Sequence, residues 1–158
     1  MMPLTETTEE MMDKQFAVNV KGVFFGMKYQ IPAMDGDGIV LNVSSMAGLS
    51  GAPKIVSYAA AKHAVIGLTK TAAVEYGKKG IRTNAVCPFF SLTPMVTETG
   101  MGTNASVDEL ESFLGRGSPM KRLGKPEEIV AVMLMCLSSA SSYLNGQCIA
   151  IDGGVSAF

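Results

Sequence analysis

Ile39-Val40-Leu41-Asn42-Val43 is a short, almost continuous apolar run. A strand with one face in water alternates apolar and polar residues; a strand apolar on successive residues is covered on both faces, as in a parallel sheet. Parallel neighbours need crossover connections, so this run predicts helices on either side of it in sequence. The chain supplies them. Thr7-x-x-Glu10 is a capping-box pattern, and Phe16, Val20, Val23, Phe24, Met27 and Ile31 follow at helical spacing up to Pro32 and the Asp35-Gly36-Asp37-Gly38 turn. After the strand, a second helix runs from Ser57 to about Lys79, with Val65, Leu68, Thr69, Ala72, Ala73 and Tyr76 as its core stripe, and Gly80 ends it.

Ile81 to Cys87 reads as a second strand, closed by Pro88. Residues 89–124 are loop-rich, and Ser106-x-x-Glu109 is placed to cap a short helix within them. Pro126 opens a further helix with Glu127 and Glu128 in its first turn, and Gln147 to Ile151 forms a last strand before Asp152-Gly153-Gly154. The order α–β–α–β–loop–α–β predicts an α/β fold with a parallel sheet of three strands and right-handed crossovers. The 158 residues fit one domain, 1–158.

A net charge of −1 offers no electrostatic footprint for nucleic acid or an anionic membrane. No apolar run approaches the length of a membrane span. The three cysteines, Cys87, Cys136 and Cys148, are far apart and form no Cys-x-x-Cys, which predicts reduced thiols, no metal site and a cytoplasmic protein.

Chemistry concentrates at Tyr58-Ala-Ala-Ala-Lys62, where helical spacing puts the two side chains on one face. A phenol is a poor base at neutral pH, and a neighbouring cation favours its phenolate, which suits the pair to moving a proton on or off an alcohol oxygen. Asn42-Val43-Ser44-Ser45 leaves the carboxyl end of a buried strand, where open α/β sheets bind ligands. A Ser hydroxyl there can hold a substrate oxygen. His63, the only histidine, has no triad or metal arrangement around it and reads as a helix-surface or packing residue.

These segments together resemble the short-chain dehydrogenase/reductase family. The resemblance rests on Asn19-Val-Lys-Gly22, Asn42-Val-Ser-Ser45-Met-Ala-Gly48, Tyr58-Ala-Ala-Ala-Lys62 with the residues after it, Ile81-Arg-Thr-Asn84-Ala-Val-Cys-Pro88, Thr93-Pro-Met95, Arg122-Leu-Gly-Lys-Pro126 and Gly146-Gln-Cys-Ile-Ala-Ile-Asp152-Gly-Gly154. It implies a Rossmann-like, doubly wound fold and hydride transfer between a nicotinamide cofactor, NAD or NADP, and a small-molecule secondary alcohol or ketone. By the same resemblance Tyr58 would be the acid/base, Lys62 would favour its phenolate and hold the nicotinamide ribose, and Ser45 would orient the substrate oxygen. Asn19 would hold a water linking Lys62 to solvent. Pro88, Ser91 and Thr93 would line the nicotinamide carboxamide, and residues 92–118 would be a substrate lid. Helices 8–32 and 57–79 would pair subunits of a homo-oligomer.

The resemblance begins at the helix carrying Asn19, so it implies the C-terminal two-thirds of the fold, without the N-terminal Gly-rich unit that seats the cofactor pyrophosphate on a helix N-terminus. The Gly100-Met-Gly-Thr-Asn-Ala105 match follows no strand and is not that unit. Three expectations follow: weak cofactor binding, an open edge on the 39–43 strand, and a tendency to associate. Phe89-Phe90 stands where the family has Gly after Pro88, which would crowd the nicotinamide or redirect the loop. Two readings stand: an oxidoreductase, or a non-enzymatic relative acting as an inactive dimerisation partner.

Overall fold

A computed structural model describes residues 1–97 and 106–157. Its centre is a parallel sheet of three strands, β1 (Gly38–Val43), β2 (Ile81–Pro88) and β3 (Cys148–Ile151), in the order β1-β2-β3. Gly38 lies opposite Ile81 and Val43 opposite Val86, while Ala85 lies opposite Cys148 and Pro88 opposite Ile151. All three strands therefore finish at one edge. Among the described residues nothing pairs with the outer edge of β1, and Val43 at its end is exposed.

The first helix is broken in two. Thr8, one residue after the predicted cap, accepts from the Met11 N–H at 3.3 Å and opens α1 (Glu9–Gln15), while the Thr7 hydroxyl donates to the Pro3 carbonyl. A π-helical turn, Phe16–Lys21, then separates α1 from α2 (Gly22–Ala33). A π-turn inserts a residue into the helix, so an unbroken 3.6-residue stripe cannot hold across it. Met27 and Ile31 are buried below the break, whereas Phe24, Phe25 and Tyr29 face outward. Pro32 lies in the last turn of α2 rather than after it.

Helix α3 (Val56–Tyr76) buries Val65, Thr69, Ala72 and Ala73. With α2 it covers one face of the sheet, where Met27, Ile31, Val40, Ala72 and Ile81 form the core and Leu68 and Tyr76 pack against it. The Asn42 amide points into the same layer and donates to Thr69 Oγ1 at 2.9 Å and to Met27 Sδ at 3.3 Å. Gly80 follows α3 at φ +80°, a left-handed conformation that favours glycine, and its carbonyl accepts from Gly38 N.

Between β2 and the next long helix lie α4 (Pro94–Thr97) and α5 (Val107–Leu114). Ser106 and Glu109 form the predicted capping box: Ser106 Oγ accepts from Glu109 N, and Glu109 Oε2 accepts from Ser106 N. Leu110, Leu114 and Leu123 bury one another with Phe90, Leu92 and Val96 around them. Residues 98–105, which include part of the expected 92–118 lid and the Gly100–Ala105 pattern, lie outside the described residues. Helix α6 (Pro126–Leu137) covers the opposite face of the sheet. Arg82, the neighbour of core residue Ile81, points to that side and donates to the Cys136 and Ser138 carbonyls at the end of α6. Among the described residues no helix is long and apolar enough to cross a membrane.

Two buried threonines make opposite predictions for one chemical change. Thr69 Oγ1 donates to the Val65 carbonyl and accepts from Asn42, whereas buried Thr83 Oγ1 has no hydrogen-bond partner. Thr69→Val should destabilise the protein by about 1–3 kcal/mol because it strips a buried amide of its oxygen partner. Thr83→Val should leave stability unchanged or raise it by about 1 kcal/mol. Urea denaturation of both variants measures this; equal losses would contradict the assignment.

Candidate active site

The site grows from the end of β1. Ser44 extends the ladder by one residue, its N–H donating to the Val86 carbonyl at 2.8 Å. Ser45 is extended (φ −166°, ψ 164°) and caps a short 3-10 turn, Met46–Gly48, by accepting from Ala47 N at 3.2 Å. A hydroxyl that accepts in this way keeps its own proton to donate elsewhere. The turn packs against α3, which brings Ser45 alongside the first turns of that helix.

Tyr58 and Lys62 occupy those turns, both half-buried. The Lys62 ammonium lies 5.5 Å from the centroid of the Tyr58 ring and donates to the Val43 carbonyl at 3.0 Å. It thus stands over the phenol ring, tethered to the strand end, with further N–H donors on the same nitrogen. Burial lowers the Lys62 pKa from its ordinary value. Neither the tether to Val43 nor the π-turn was visible in side-chain patterns, since one ends on a backbone carbonyl and the other is a change of helical pitch.

Asn19 lies in that π-turn, which packs against α3. Its amide donates to Gln15 Oε1 at 2.7 Å. Pro88 is the last residue of β2, one strand over from Ser45. Ser91 bridges in parallel to Gly124, and its hydroxyl donates to the Phe89 carbonyl. Thr93 N–H donates to the Ser91 carbonyl at 2.8 Å. The structure therefore sets Tyr58 and Lys62 together beside the strand end that leads into the Ser45 turn, with Asn19 on the turn that packs against the same helix, and carries Ser91 and Thr93 onto the segment beyond the strand ends. His63 is exposed, and its Nδ1 lies 2.9 Å from the Ala59 carbonyl. Among the described residues no cluster of His, Cys, Asp and Glu could hold a metal.

Phe89 and Phe90 take a defined path. Their rings meet edge to face at 4.8 Å, Phe90 joins the Leu110–Leu114–Leu123 cluster, and its carbonyl accepts from Gly124 N. Phe89 faces Gly117, where an added Cβ would lie 3.3 Å from the ring. The pair redirects the loop toward α5 and α6. A separate cavity of about 150 Å³ opens there, lined by Phe89, Phe90, Met120, Ile129, Ile151 and Asp152; Ser45, Tyr58 and Lys62 do not line it. Phe113 of α5 is exposed.

Cys87 sits beneath the site, fully buried, with its thiol pKa pushed up to about 11, mainly by burial and then by the nearby Cys148. A thiol whose folded pKa exceeds its unfolded value holds its proton more tightly when folded, so this contribution to stability is intact below the unfolded pKa and is lost as pH rises through the folded one. The native protein should resist alkylation at Cys87 at pH 8 and react there once unfolded. The stability of Cys87→Ala should fall less than that of the wild type between the ordinary thiol pKa and about 11. Alkylation of the native protein at the unfolded rate would contradict this burial.

The family model described as enoyl-(acyl carrier protein) reductase matches residues 1–156. A 2,5-dichloro-2,5-cyclohexadiene-1,4-diol dehydrogenase of Sphingobium indicum is 41% identical over 99% of this chain, which spans 62% of that relative's length. The crystal structure of a levodione reductase superposes with a TM-score of 0.90 at 40% identity, covering 98% of this chain and 61% of that one. A structure of ElxO with NADP bound superposes with a TM-score of 0.91 at 34% identity, covering 100% and 63% respectively. The chain thus spans about three-fifths of the length of these relatives. With the parallel sheet, the residue patterns and these matches in agreement, the chain belongs to the short-chain dehydrogenase/reductase family.

Proposed function

We propose that this chain serves an NAD(P)-dependent oxidoreductase that interconverts a secondary alcohol and a ketone, with Tyr58 as the acid/base. One observation carries the reading: the Ser45 turn packs on the helix that bears Tyr58, with the Lys62 ammonium 5.5 Å from the phenol ring centroid, at the edge where the strands end. A hydroxyl donor, a proton carrier and a fixed cation are what carbonyl reduction needs from a protein.

The cofactor end fits in part. The Lys62 ammonium has donors beyond its bond to Val43 for ribose hydroxyls, and the segment from Pro88 through Ser91 to Thr93 offers backbone groups to a carboxamide. A bound nicotinamide would supply or accept the hydride. The chain's own part begins with Ser45, whose hydroxyl donates to the substrate oxygen. Tyr58 then gives its proton to that oxygen on reduction, or takes it on oxidation. Lys62 stabilises the negative charge left on the phenol, and Asn19 holds a water through which proton charge reaches solvent. The names of the relatives, a cyclohexadiene-diol dehydrogenase and a levodione reductase, favour a ring alcohol or ring ketone as substrate class. Phe24, Phe25 and Tyr29, exposed on α2, suit the proposed pairing of helices 8–32 and 57–79 in a homo-oligomer.

Tyr58→Phe removes only the phenolic hydroxyl, and with it the exchangeable proton. Turnover followed by nicotinamide absorbance should fall by about 100- to 10,000-fold. Cofactor affinity, read by calorimetry, should change little. A variant that keeps wild-type turnover would take Tyr58 out of the mechanism.

A further inference from the structure

Ser45 lies between two residues that both touch the same peptide group of α3. The Ser44 hydroxyl on its N-terminal side donates to the Lys62 carbonyl at 2.9 Å. On its C-terminal side Gly48 closes the turn, its N–H donating to the Ser45 carbonyl at 2.9 Å. Gly48 is buried so tightly there that an added Cβ would lie 2.5 Å from Ser44 Oγ and 2.8 Å from the Lys62 carbonyl oxygen. Lys62 is gripped at its other end too, because its ammonium donates to the carbonyl of Val43, the residue before Ser44.

From this geometry we infer that Ser44 and Gly48 are positioning residues: together they form a clasp that sets the distance between the Ser45 hydroxyl and the Tyr58–Lys62 pair. The inference rests on the acid/base reading above and adds to it two residues that touch neither substrate nor cofactor. A carbonyl oxygen has two lone pairs, so Lys62 can accept from Ser44 without giving up its place in the helix. The Ser44 backbone is itself held, since its N–H donates to Val86 in the neighbouring strand. Sheet, Ser45 turn and α3 are thereby joined at one peptide group. The missing side chain at Gly48 lets the turn come that close. Displacing reacting groups by about 1 Å can cost 100-fold in rate, which is the scale on which a loosened clasp acts.

The test uses the full chain in four variants. Ser44→Ala removes the hydroxyl, Ser44→Cys keeps a weaker donor, and Gly48→Ala keeps the hydroxyl but pushes the turn away. Ser50→Ala makes the same chemical change on the same loop, where the hydroxyl donates only to Met46 of its own turn. Thermal melts establish that each variant is folded. Two readouts are then taken: kcat and KM, and the pKa of Lys62 followed by NMR of the isotopically dimethylated lysine. Ser44→Ala and Gly48→Ala should lower kcat by about 10- to 100-fold with little change in KM. They should also move the Lys62 pKa up toward its ordinary value as the ammonium leaves its half-buried seat, with Ser44→Cys intermediate and Ser50→Ala like the wild type. If folded Ser44→Ala keeps either the wild-type kcat or the wild-type Lys62 titration, the clasp is overturned; if it does not fold, the same criterion passes to Ser44→Cys. Tyr58→Phe separates the two ideas. Retained turnover in that variant removes the acid/base reading, and in a chain without turnover the Lys62 titration alone decides the clasp.

Discussion

Strand β2 lies between two neighbours and is buried along most of its length, yet Arg82, Thr83 and Asn84 in its first half are polar. Polar groups out of water must find partners inside the protein or cost about 1–3 kcal/mol each. Arg82, Asn84 and the Thr83 N–H find theirs in one place, the connection from α6 to β3, while the Thr83 hydroxyl goes without. Arg82 donates to the carbonyls of Cys136, Ser138 and Leu144, the first two at the end of α6, where a cation also meets the negative end of the helix dipole. Asn84 uses both halves of its amide, donating to the Leu144 carbonyl and accepting from Gln147 N. Asn145 accepts from Thr83 N and donates to the Ala73 carbonyl, which ties the connection to α3 on the far face. Satisfying the middle strand fixes β3 in register and holds α6 and α3 on opposite sides of one sheet. The edge where Pro88 and Ile151 end side by side follows from that register.

The same logic runs at smaller scale between β1 and α3. Asn42 is the one polar residue in the apolar run that predicted the sheet, and its amide reaches Thr69 on α3. That bond, the core around Val40 and Ala72, and the grip of Val43 and Ser44 on Lys62 lie at successive levels along one strand–helix pair. A site assembled on this pair inherits its rigidity from packing and hydrogen bonds that have no chemistry of their own. Ser45 needs only to follow Asn42 by three residues, and Tyr58 and Lys62 only to lie in the first turns of the helix, for the Ser45 turn to lie beside the pair.

What the sequence made legible follows from range. The strands at residues 38–43 and 81–88, the helix from Pro126 and the Ser106–Glu109 box depend on residues close together in the chain, and patterning finds them. The pairing of Tyr58 with Lys62 is a one-turn relation and was equally readable. The cap at Thr8 instead of Thr7 is a local competition, decided when the Thr7 hydroxyl found the Pro3 carbonyl. The π-turn at Phe16–Lys21 was not readable, because a periodic apolar stripe looks the same until one residue is added to its pitch. The partners of Arg82 lie more than fifty residues away, and three of its four acceptors are backbone carbonyls that carry no residue signature.

Phe89 and Phe90 show how a local departure from a family pattern is absorbed. Two aromatic rings at the end of a buried strand carry too much apolar area to leave in water, and burying a side chain of that size is worth about 1.5–3 kcal/mol. Phe90 is half-buried against a cluster of three leucines from α5 and the approach to α6, and the bonds between Gly124 and residues 90 and 92 hold its backbone there. Phe89 fills the space left by the missing side chain of Gly117. The described part of the 92–118 segment from α5 onward is therefore fastened to the end of β2 by its own apolar face. Any rearrangement of it has to open that cluster, so movement of this segment is coupled to the stability of the α5 layer.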